Sequence, residues 1–270
     1  MNVTMKEWFT LAGLQTEIYW EDKQKNFSNL REKISRLGKK DIIVFPEMFS
    51  TGFTMKSKDF AEPTFGESEE FLLDIATKTD SLVGGSWIEE NPEGKPFNTL
   101  SFVTPEGSIY RYRKIHPFSY GGEDRFFSHG KNTLNFEWKG LKISPLVCYD
   151  LRFPEVFREN VGKTDLYIVV ANWPSQRIHH WLTLLKARAI ENQAFVLGVN
   201  RVGTAGKIQK VYHNGYSAFF GPWGSEKIVN SEKEDILEVS LGLGELKVVR
   251  EEFPYLKDIF FKGISFERLS

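Results

Sequence analysis

Three residues in this chain carry side chains that together could perform nucleophilic catalysis: Glu47, Lys114 and Cys148. A thiol is a nucleophile, a carboxylate can act as its general base, and an ammonium group can stabilise the oxyanion that forms on attack. Each residue alone has a structural alternative: a buried cysteine, a solvated loop glutamate and a solvent-facing lysine at a strand end. The catalytic interpretation is favoured because these three complementary groups each end a predicted strand.

The segments around the three residues indicate how each would be positioned. Cys148 ends an apolar run and precedes a turn and a helix from Pro154, so it is expected at the rim of a sheet, in a geometry like a nucleophile elbow. Glu47 follows the apolar run 41–46, where a desolvated carboxylate either finds a partner or takes a raised pKa, and a raised pKa would suit a base for a thiol. Lys114 ends a hairpin, and its charge is expected to favour a neighbouring thiolate.

Strand-length apolar runs alternate with helical patterns through much of the chain. Strands are predicted at 9–15, 41–46, 81–88, 143–149, 165–172, 194–199 and 235–241, helices at 22–37, 67–78, 154–159, 180–192 and shortly before 250, and hairpins at 97–114 and 216–229. Mixed β–α units and antiparallel hairpins favour an α/β fold of mixed sheets covered by helices. Residues 1–270 are predicted to form one domain.

The composition excludes several classes of protein and of site. A net charge of −1 gives no global field for nucleic acid or an anionic membrane. A single cysteine cannot form an internal disulfide or a multi-cysteine metal site. The segment Met1–Thr10 lacks the apolar stretch of a signal peptide, and no apolar run has the length of a membrane span. We therefore expect a cytoplasmic protein with no nucleic-acid or membrane partner.

Three segments resemble the signature segments of the nitrilase superfamily of carbon–nitrogen hydrolases, in that family's order. They are Phe45-Pro-Glu-Met-Phe49, Arg113-Lys-Ile-His116 and Leu146-Val-Cys-Tyr-Asp-Leu-Arg-Phe-Pro-Glu155. The resemblance implies a four-layer αββα sandwich, a homodimer, and no metal or organic cofactor. It also implies that a small-molecule amide is attacked to give a thioester.

The resemblance also assigns roles to residues. Glu47 would be the general base, Cys148 the nucleophile and Lys114 the oxyanion partner, with the backbone N–H of Tyr149 as a second oxyanion donor. Glu123 would orient the lysine and the substrate, although its segment departs from the commoner pattern, in which histidine or tyrosine follows the glutamate.

Further segments resemble the bacterial omega-amidase branch, which hydrolyses the terminal amide of 2-oxo dicarboxylic acid monoamides such as 2-oxoglutaramate. They include Val170-Ala-Asn-Trp-Pro174 and Gly198-Val-Asn-Arg-Val-Gly203. Such a substrate carries a carboxylate, for which Arg177 is the candidate cation. Phe53, Phe118 and Trp173 are candidate aromatic walls, with core packing as their alternative.

Several alternatives stay open from the sequence. His180 is the candidate base for a cysteine–histidine dyad, or else a substrate-pocket or structural residue. With the triad kept, the substrate could be that of a carbamoylase, an aliphatic amidase or a nitrilase. An inactive scaffold is the non-enzymatic alternative. An activated Cys148 is expected to react with iodoacetamide faster than an ordinary thiol. The Gly121–Gly122 pair gives its loop the freedom to close over a substrate.

Overall fold

The computed structural model describes residues 6–206, 210–229 and 232–260. The strands are β1 (Trp8–Gln15), β2 (Ile42–Val44), β3 (Leu82–Glu89), β4 (Phe97–Val103), β5 (Ile109–Arg113), β6 (Phe136–Trp138), β7 (Leu141–Val147), β8 (Leu166–Ala171), β9 (Phe195–Asn200), β10 (Val202–Ala205), β11 (Val211–Asn214), β12 (Ala218–Phe220), β13 (Glu226–Ile228) and β14 (Asp235–Gly242). The α-helices are α1 (Lys23–Ser35), α2 (Ser57–Phe60), α3 (Glu67–Thr79), α4 (Pro154–Arg158), α5 (Ile178–Asn192) and α6 (Leu243–Glu252). Short 3₁₀ helices include Ser119–Gly121, Glu123–Arg125, Cys148–Arg152 and Ser175–Arg177. The first half of the segment Met1–Thr10 lies outside the described residues.

Two six-stranded mixed sheets form the centre of the molecule. Sheet 1 has the strand order β14-β1-β2-β3-β4-β5, and sheet 2 has the order β13-β12-β9-β8-β7-β6. In each sheet three successive strands run parallel, and antiparallel strands extend the sheet on both sides. The parallel strands end at a common edge of their sheet, which is where residues that follow them can meet.

The sheets pack face to face because their strands bury side chains on both faces. In β1, Phe9 and Leu11 join the core between the sheets, whereas Leu14 joins the core beneath α1 and α3. On β9, a Cβ at Gly198 would lie 2.4 Å from Leu185 of α5, so this side of sheet 2 faces that helix. The layers therefore run helix, sheet, sheet, helix, which confirms the predicted αββα sandwich.

The elements predicted from hydrophobic spacing are all present, with shifted ends. Helix α1 begins after Asp22, whose side chain accepts a hydrogen bond from the backbone N–H of Lys25, so this residue caps the helix and does not belong to it. The strand predicted at 143–149 begins earlier, at Leu141, and ends at Val147, because the chain turns at Cys148 into a 3₁₀ helix. The hairpin β10–β11 and strand β6 were not predicted.

No helix in the described part of the chain is long and apolar enough to cross a membrane.

Candidate active site

Both sheets contribute to the cluster of predicted catalytic side chains. Glu47 lies just beyond β2 and Lys114 directly follows β5, both in sheet 1, whereas Cys148 directly follows β7 of sheet 2. The Nζ atom of Lys114 lies 2.9 Å from Oε1 of Glu47. The same carboxylate lies close enough to Cys148 to raise the pKa of its thiol. The structure thus brings the three residues together at the strand ends, as their sequence positions predict.

Glu123 lies on the other side of Lys114. Its Oε2 is 2.8 Å from the lysine Nζ, and all three charged side chains, those of Glu47, Lys114 and Glu123, are at most 1% exposed. The backbone N–H of Phe118 also donates to Glu123. The carboxylate therefore links the lysine to the loop that carries Phe118, which fits the orienting role expected for it.

Asn98 is a further member of this cluster that the sequence analysis missed. Its Nδ2 donates to Oε1 of Glu47 at 2.8 Å and to Oε1 of Glu123 at 3.2 Å. Its backbone carbonyl accepts from the N–H of Lys114, because β4 and β5 are neighbours. The side-chain amide of Asn98 therefore binds both of the carboxylates that pair with the lysine. The signal for it lies in the pairing of the two strands and not in the residue type.

Asn172 fixes the opposite oxygen of Glu47. Its backbone N–H donates to Oε2 of Glu47 at 2.8 Å, and its Nδ2 donates to the backbone carbonyl of Glu47 at 2.7 Å. This residue follows β8, which pairs in parallel with the strand that precedes Cys148. Both oxygens of Glu47 thus accept hydrogen bonds, and its carboxylate has a fixed orientation towards the thiol.

Cys148 has a left-handed backbone, with φ of 47°. A non-glycine residue in this region costs on the order of 1–3 kcal/mol and is held there by its surroundings. Asp150 provides part of that restraint, since its Oδ2 accepts from the N–H of Val147 and from the hydroxyl of Tyr112, at 3.1 and 2.8 Å. The sharp turn presents the thiol at the cavity, as in the nucleophile elbow that the sequence resembles.

The pKa values of the two carboxyl groups beside Lys114 shift in opposite directions. Burial acts to raise the pKa of Glu47, but the Lys114 charge and the donors on its oxygens outweigh burial and lower it. Of the two outcomes expected from the sequence for this carboxylate, a partner or a raised pKa, the structure shows the partner, Lys114. Burial raises the pKa of Glu123, and the Glu47 charge acts in the same direction. Despite its burial, the pKa of Lys114 is raised well above normal by both carboxylates.

The thiol of Cys148 is held in its protonated form. Burial raises its pKa well above that of an ordinary thiol, and the nearby Glu47 and Glu123 charges add to this, while Lys114 opposes it. The Lys114 charge acts towards the thiolate, as expected from the sequence, but desolvation and two carboxylates outweigh it. The geometry places an ionised carboxylate beside a protonated thiol.

A cavity of about 520 Å³ opens above Cys148. The predicted residues Phe53, Phe118, Trp173 and Arg177 all line it, together with the nucleophile and Tyr149. Gly121 lines it too, beside the exposed Tyr120. The aromatic residues proposed as walls are therefore at the cavity, which is of a size that holds a small molecule.

His180 lies to one side of this arrangement. Its Nδ1 is 3.5 Å from Nη1 of Arg152, its ring packs on His179, and it is not among the described residues that line the cavity. The charges that act on the Cys148 thiol come from Glu47, Lys114 and Glu123. The glutamate is thus the base that the geometry offers. In the described part of the chain no cluster of histidine, cysteine and acidic residues could hold a metal ion.

Arg188 and Glu191 form an ion pair within α5, with Nη1 of Arg188 2.9 Å from Oε1 of Glu191. Arg188 also donates to the backbone carbonyl of Leu151, so it supports the turn that follows Cys148.

Comparison with known proteins gives a consistent result. The model of a family described as carbon-nitrogen hydrolase matches residues 10–251. An omega-amidase YafV from Yersinia enterocolitica is 39% identical over 92% of this chain and 95% of its own length. A 2-oxoglutaramate amidase from Bacillus subtilis is 32% identical over 93% of this chain and 97% of its own length.

A solved structure supports the same relationship. A CN-hydrolase superfamily protein from Xanthomonas campestris, solved with an arsenic adduct in its active site, superimposes with a TM-score of 0.90 at 34% identity. The match covers 97% of this chain and all of that one.

Proposed function

This chain belongs to the carbon–nitrogen hydrolase family, and from that premise we propose that it is an omega-amidase that uses Cys148 as its nucleophile. Its substrates in this proposal are 2-oxo dicarboxylic acid monoamides such as 2-oxoglutaramate. The observation that carries the reaction class is the buried cluster of Glu47, Lys114 and Cys148 beneath the cavity. The substrate class is supported by the names of relatives that match over nearly their whole length.

Acylation begins with the proton on Cys148. Glu47 is ionised and lies near the thiol, so it accepts this proton as sulfur attacks the amide carbon. In the proposal, the oxyanion is stabilised by the Lys114 ammonium and by the N–H of Tyr149, at the first turn of the 3₁₀ helix Cys148–Arg152. Glu47 then gives the proton to the departing nitrogen, ammonia leaves, and a thioester remains.

Deacylation uses the same base in the opposite direction. Glu47 takes a proton from water, whose oxygen attacks the thioester carbon, and the carbon–sulfur bond breaks. The proton returns to the Cys148 sulfur and the carboxylic acid is released. Glu47 can perform both transfers because Asn98 and Asn172 hold its two oxygens in place while the proton moves.

A panel of substrates tests the proposal. Purified enzyme is assayed for ammonia release from 2-oxoglutaramate, an aliphatic amide, an N-carbamoyl amino acid and a nitrile. The proposal predicts the highest kcat/KM for 2-oxoglutaramate. If the N-carbamoyl compound or the aliphatic amide is preferred, the cysteine chemistry stands and the substrate assignment is wrong. If the chain hydrolyses none of them, both are wrong.

We propose further that the enzyme works as a cytoplasmic homodimer. A reducing compartment would keep the single thiol in its reactive form. Trp223 and Phe253 stack on each other and are each more than half exposed, which leaves apolar surface for a second copy to cover. Light scattering of the purified protein would give twice the chain mass for a dimer, and the chain mass alone would contradict it.

A further inference from the structure

Arg152 has an unusual position beside the nucleophile. It ends the 3₁₀ helix that starts at Cys148, is half-buried, and lines the same cavity. It belongs to the segment 146–155 that resembles a family signature. A guanidinium group is always charged, so a half-buried one needs either a counter-ion or a set of acceptors.

The neighbours of Arg152 hold its guanidinium without neutralising it. The group lies 4.8 Å from the Trp173 ring centroid and 5.9 Å from that of Tyr149. Its Nη1 is 3.5 Å from Nδ1 of His180, and desolvation, His179 and the charges of Arg152 and Arg177 lower the pKa of this imidazole. Among the described residues, no carboxylate lies within ion-pair distance of Arg152.

The charged residues that line the cavity are all basic among those that the structure describes. Arg177 lies with its guanidinium 5.6 Å from the Phe118 ring centroid, and Lys210 also lines the cavity. No aspartate or glutamate is among the lining residues that the structure describes. Arg152 and Arg177 both line this cavity. The cavity therefore has a cationic wall.

We propose that Arg152 and Arg177 form an anion subsite that binds the distal carboxylate of the substrate, the end away from the scissile amide. This rests on the proposed function and deepens it. The planar guanidinium fork of Arg152 suits a carboxylate, which would supply the counter-ion that the described residues do not. Such a subsite selects acidic amides and disfavours amides with a neutral or cationic far end.

The same arrangement orients the substrate. At the base of the cavity, two buried carboxylates, those of Glu47 and Glu123, surround one cation, Lys114, so the cluster has a net negative charge. It therefore repels a substrate carboxylate, which Arg152 attracts. The amide end is thereby directed to Cys148. Hydrolysis then creates a second carboxylate next to Glu47, and this repulsion promotes release of the product.

A matched pair of substrates isolates the distal charge. Glutaramate carries a carboxylate at its far end, and pentanediamide carries a neutral amide of the same shape in its place. In Arg152→Gln, the kcat/KM ratio of glutaramate to pentanediamide should fall at least about 10-fold, through KM. Pentanediamide itself should change by less than about 3-fold, and Arg152→Lys should keep part of the preference.

Arg158→Gln is the matched control, because this arginine is exposed on α4 and does not line the cavity. It removes the same charge and should leave the ratio unchanged. An equal loss for both amides in Arg152→Gln would mean that Arg152 supports the fold or the nucleophile, and would overturn the subsite. An unchanged ratio in Arg152→Gln would overturn it too.

Binding to the inactive Cys148→Ala protein separates this inference from the proposed function. By calorimetry, Cys148→Ala should bind glutaramate, and adding Arg152→Gln should weaken binding about 10-fold or more. If the wild type hydrolyses no terminal amide, the proposed function fails, while Arg152-dependent binding of glutaramate still supports the subsite. Absence of binding, or binding that does not depend on Arg152, overturns the subsite.

Discussion

Replacing Lys114 by methionine tests the buried charge cluster through stability. The lysine Nζ lies 2.9 Å from Glu47 and 2.8 Å from Glu123, with all three side chains at most 1% exposed. Methionine keeps much of the volume but leaves two carboxylates without their cation. Removing one partner of a buried ion pair costs about 3–5 kcal/mol, so we expect a loss of this size in the free energy of unfolding at neutral pH.

The free energy of unfolding that Lys114→Met loses should increase as the pH rises. Without Lys114, burial and mutual repulsion raise the folded-state pKa of the two carboxyls above the unfolded value. A raised pKa stabilises the fold below the unfolded pKa, and this stabilisation is lost as the pH rises through the folded pKa. The deficit of Lys114→Met relative to wild type should therefore be larger at pH 8 than at pH 5.

Urea denaturation followed by the fluorescence of the seven tryptophans measures the effect. Adding Glu123→Gln to Lys114→Met should restore stability by roughly 2 kcal/mol, since one buried charge is removed, without restoring activity. Lys186→Met is the control, because its pair with Glu226 is about half exposed and is worth at most about 1 kcal/mol. A loss below about 1 kcal/mol in Lys114→Met would refute the buried, ionised cluster.

Three further predictions concern the site and the packing around it. Asn98→Ala should lower kcat about 10-fold or more and shift the acidic limb of the pH–rate profile to higher pH, since Glu47 loses a donor that lowers its pKa; an unchanged profile would remove Asn98 from this role. Labelling of Cys148 by iodoacetamide, expected from the sequence to be faster than that of an ordinary thiol, should instead be slower at pH 7 and should still rise with pH where the labelling of a free thiol has levelled off, because its pKa is raised; faster labelling at pH 7 would contradict the protonated resting thiol. Gly198→Ala should lower the free energy of unfolding by about 1–3 kcal/mol, since its Cβ would lie 2.4 Å from Leu185, whereas Gly244→Ala, with no atom within 4 Å, should not destabilise the protein; equal effects in denaturant titrations would contradict the tight packing of α5 on sheet 2.

Much of the fold could be predicted because its signals are local. The run 41–46 alternates between two apolar cores, and the Phe27–Leu30–Ile34 spacing of α1 covers one face of sheet 1. The strand β6 and the hairpin β10–β11 could not be found in the same way. They are only three or four residues long, and they are strands because they pair with their neighbours in the chain, β6 with β7 and β10 with β11, and not because of their own residue pattern.

The residues of the site likewise include some that local sequence signals predict and some that they do not. Glu47, Lys114 and Cys148 are chemically distinctive residues at strand ends, so the sequence alone places them together. Asn98 was missed because an amide acquires its role only from the register that sets it beside Lys114. The net direction of each pKa shift could not be decided from the sequence, since it depends on how many donors reach Glu47 and on how closely two carboxylates approach the thiol.

The central claim is that the reaction passes through a thioester on Cys148, and acid quenching during turnover tests it most directly. Wild-type enzyme mixed with excess 2-oxoglutaramate is quenched within milliseconds to seconds, digested, and its peptides are mapped by mass spectrometry. The account predicts one 2-oxoglutaryl group on the peptide that contains Cys148, absent in Cys148→Ala, which should also release no ammonia. Steady ammonia release by Cys148→Ala, or an acyl group on another residue, would contradict the account.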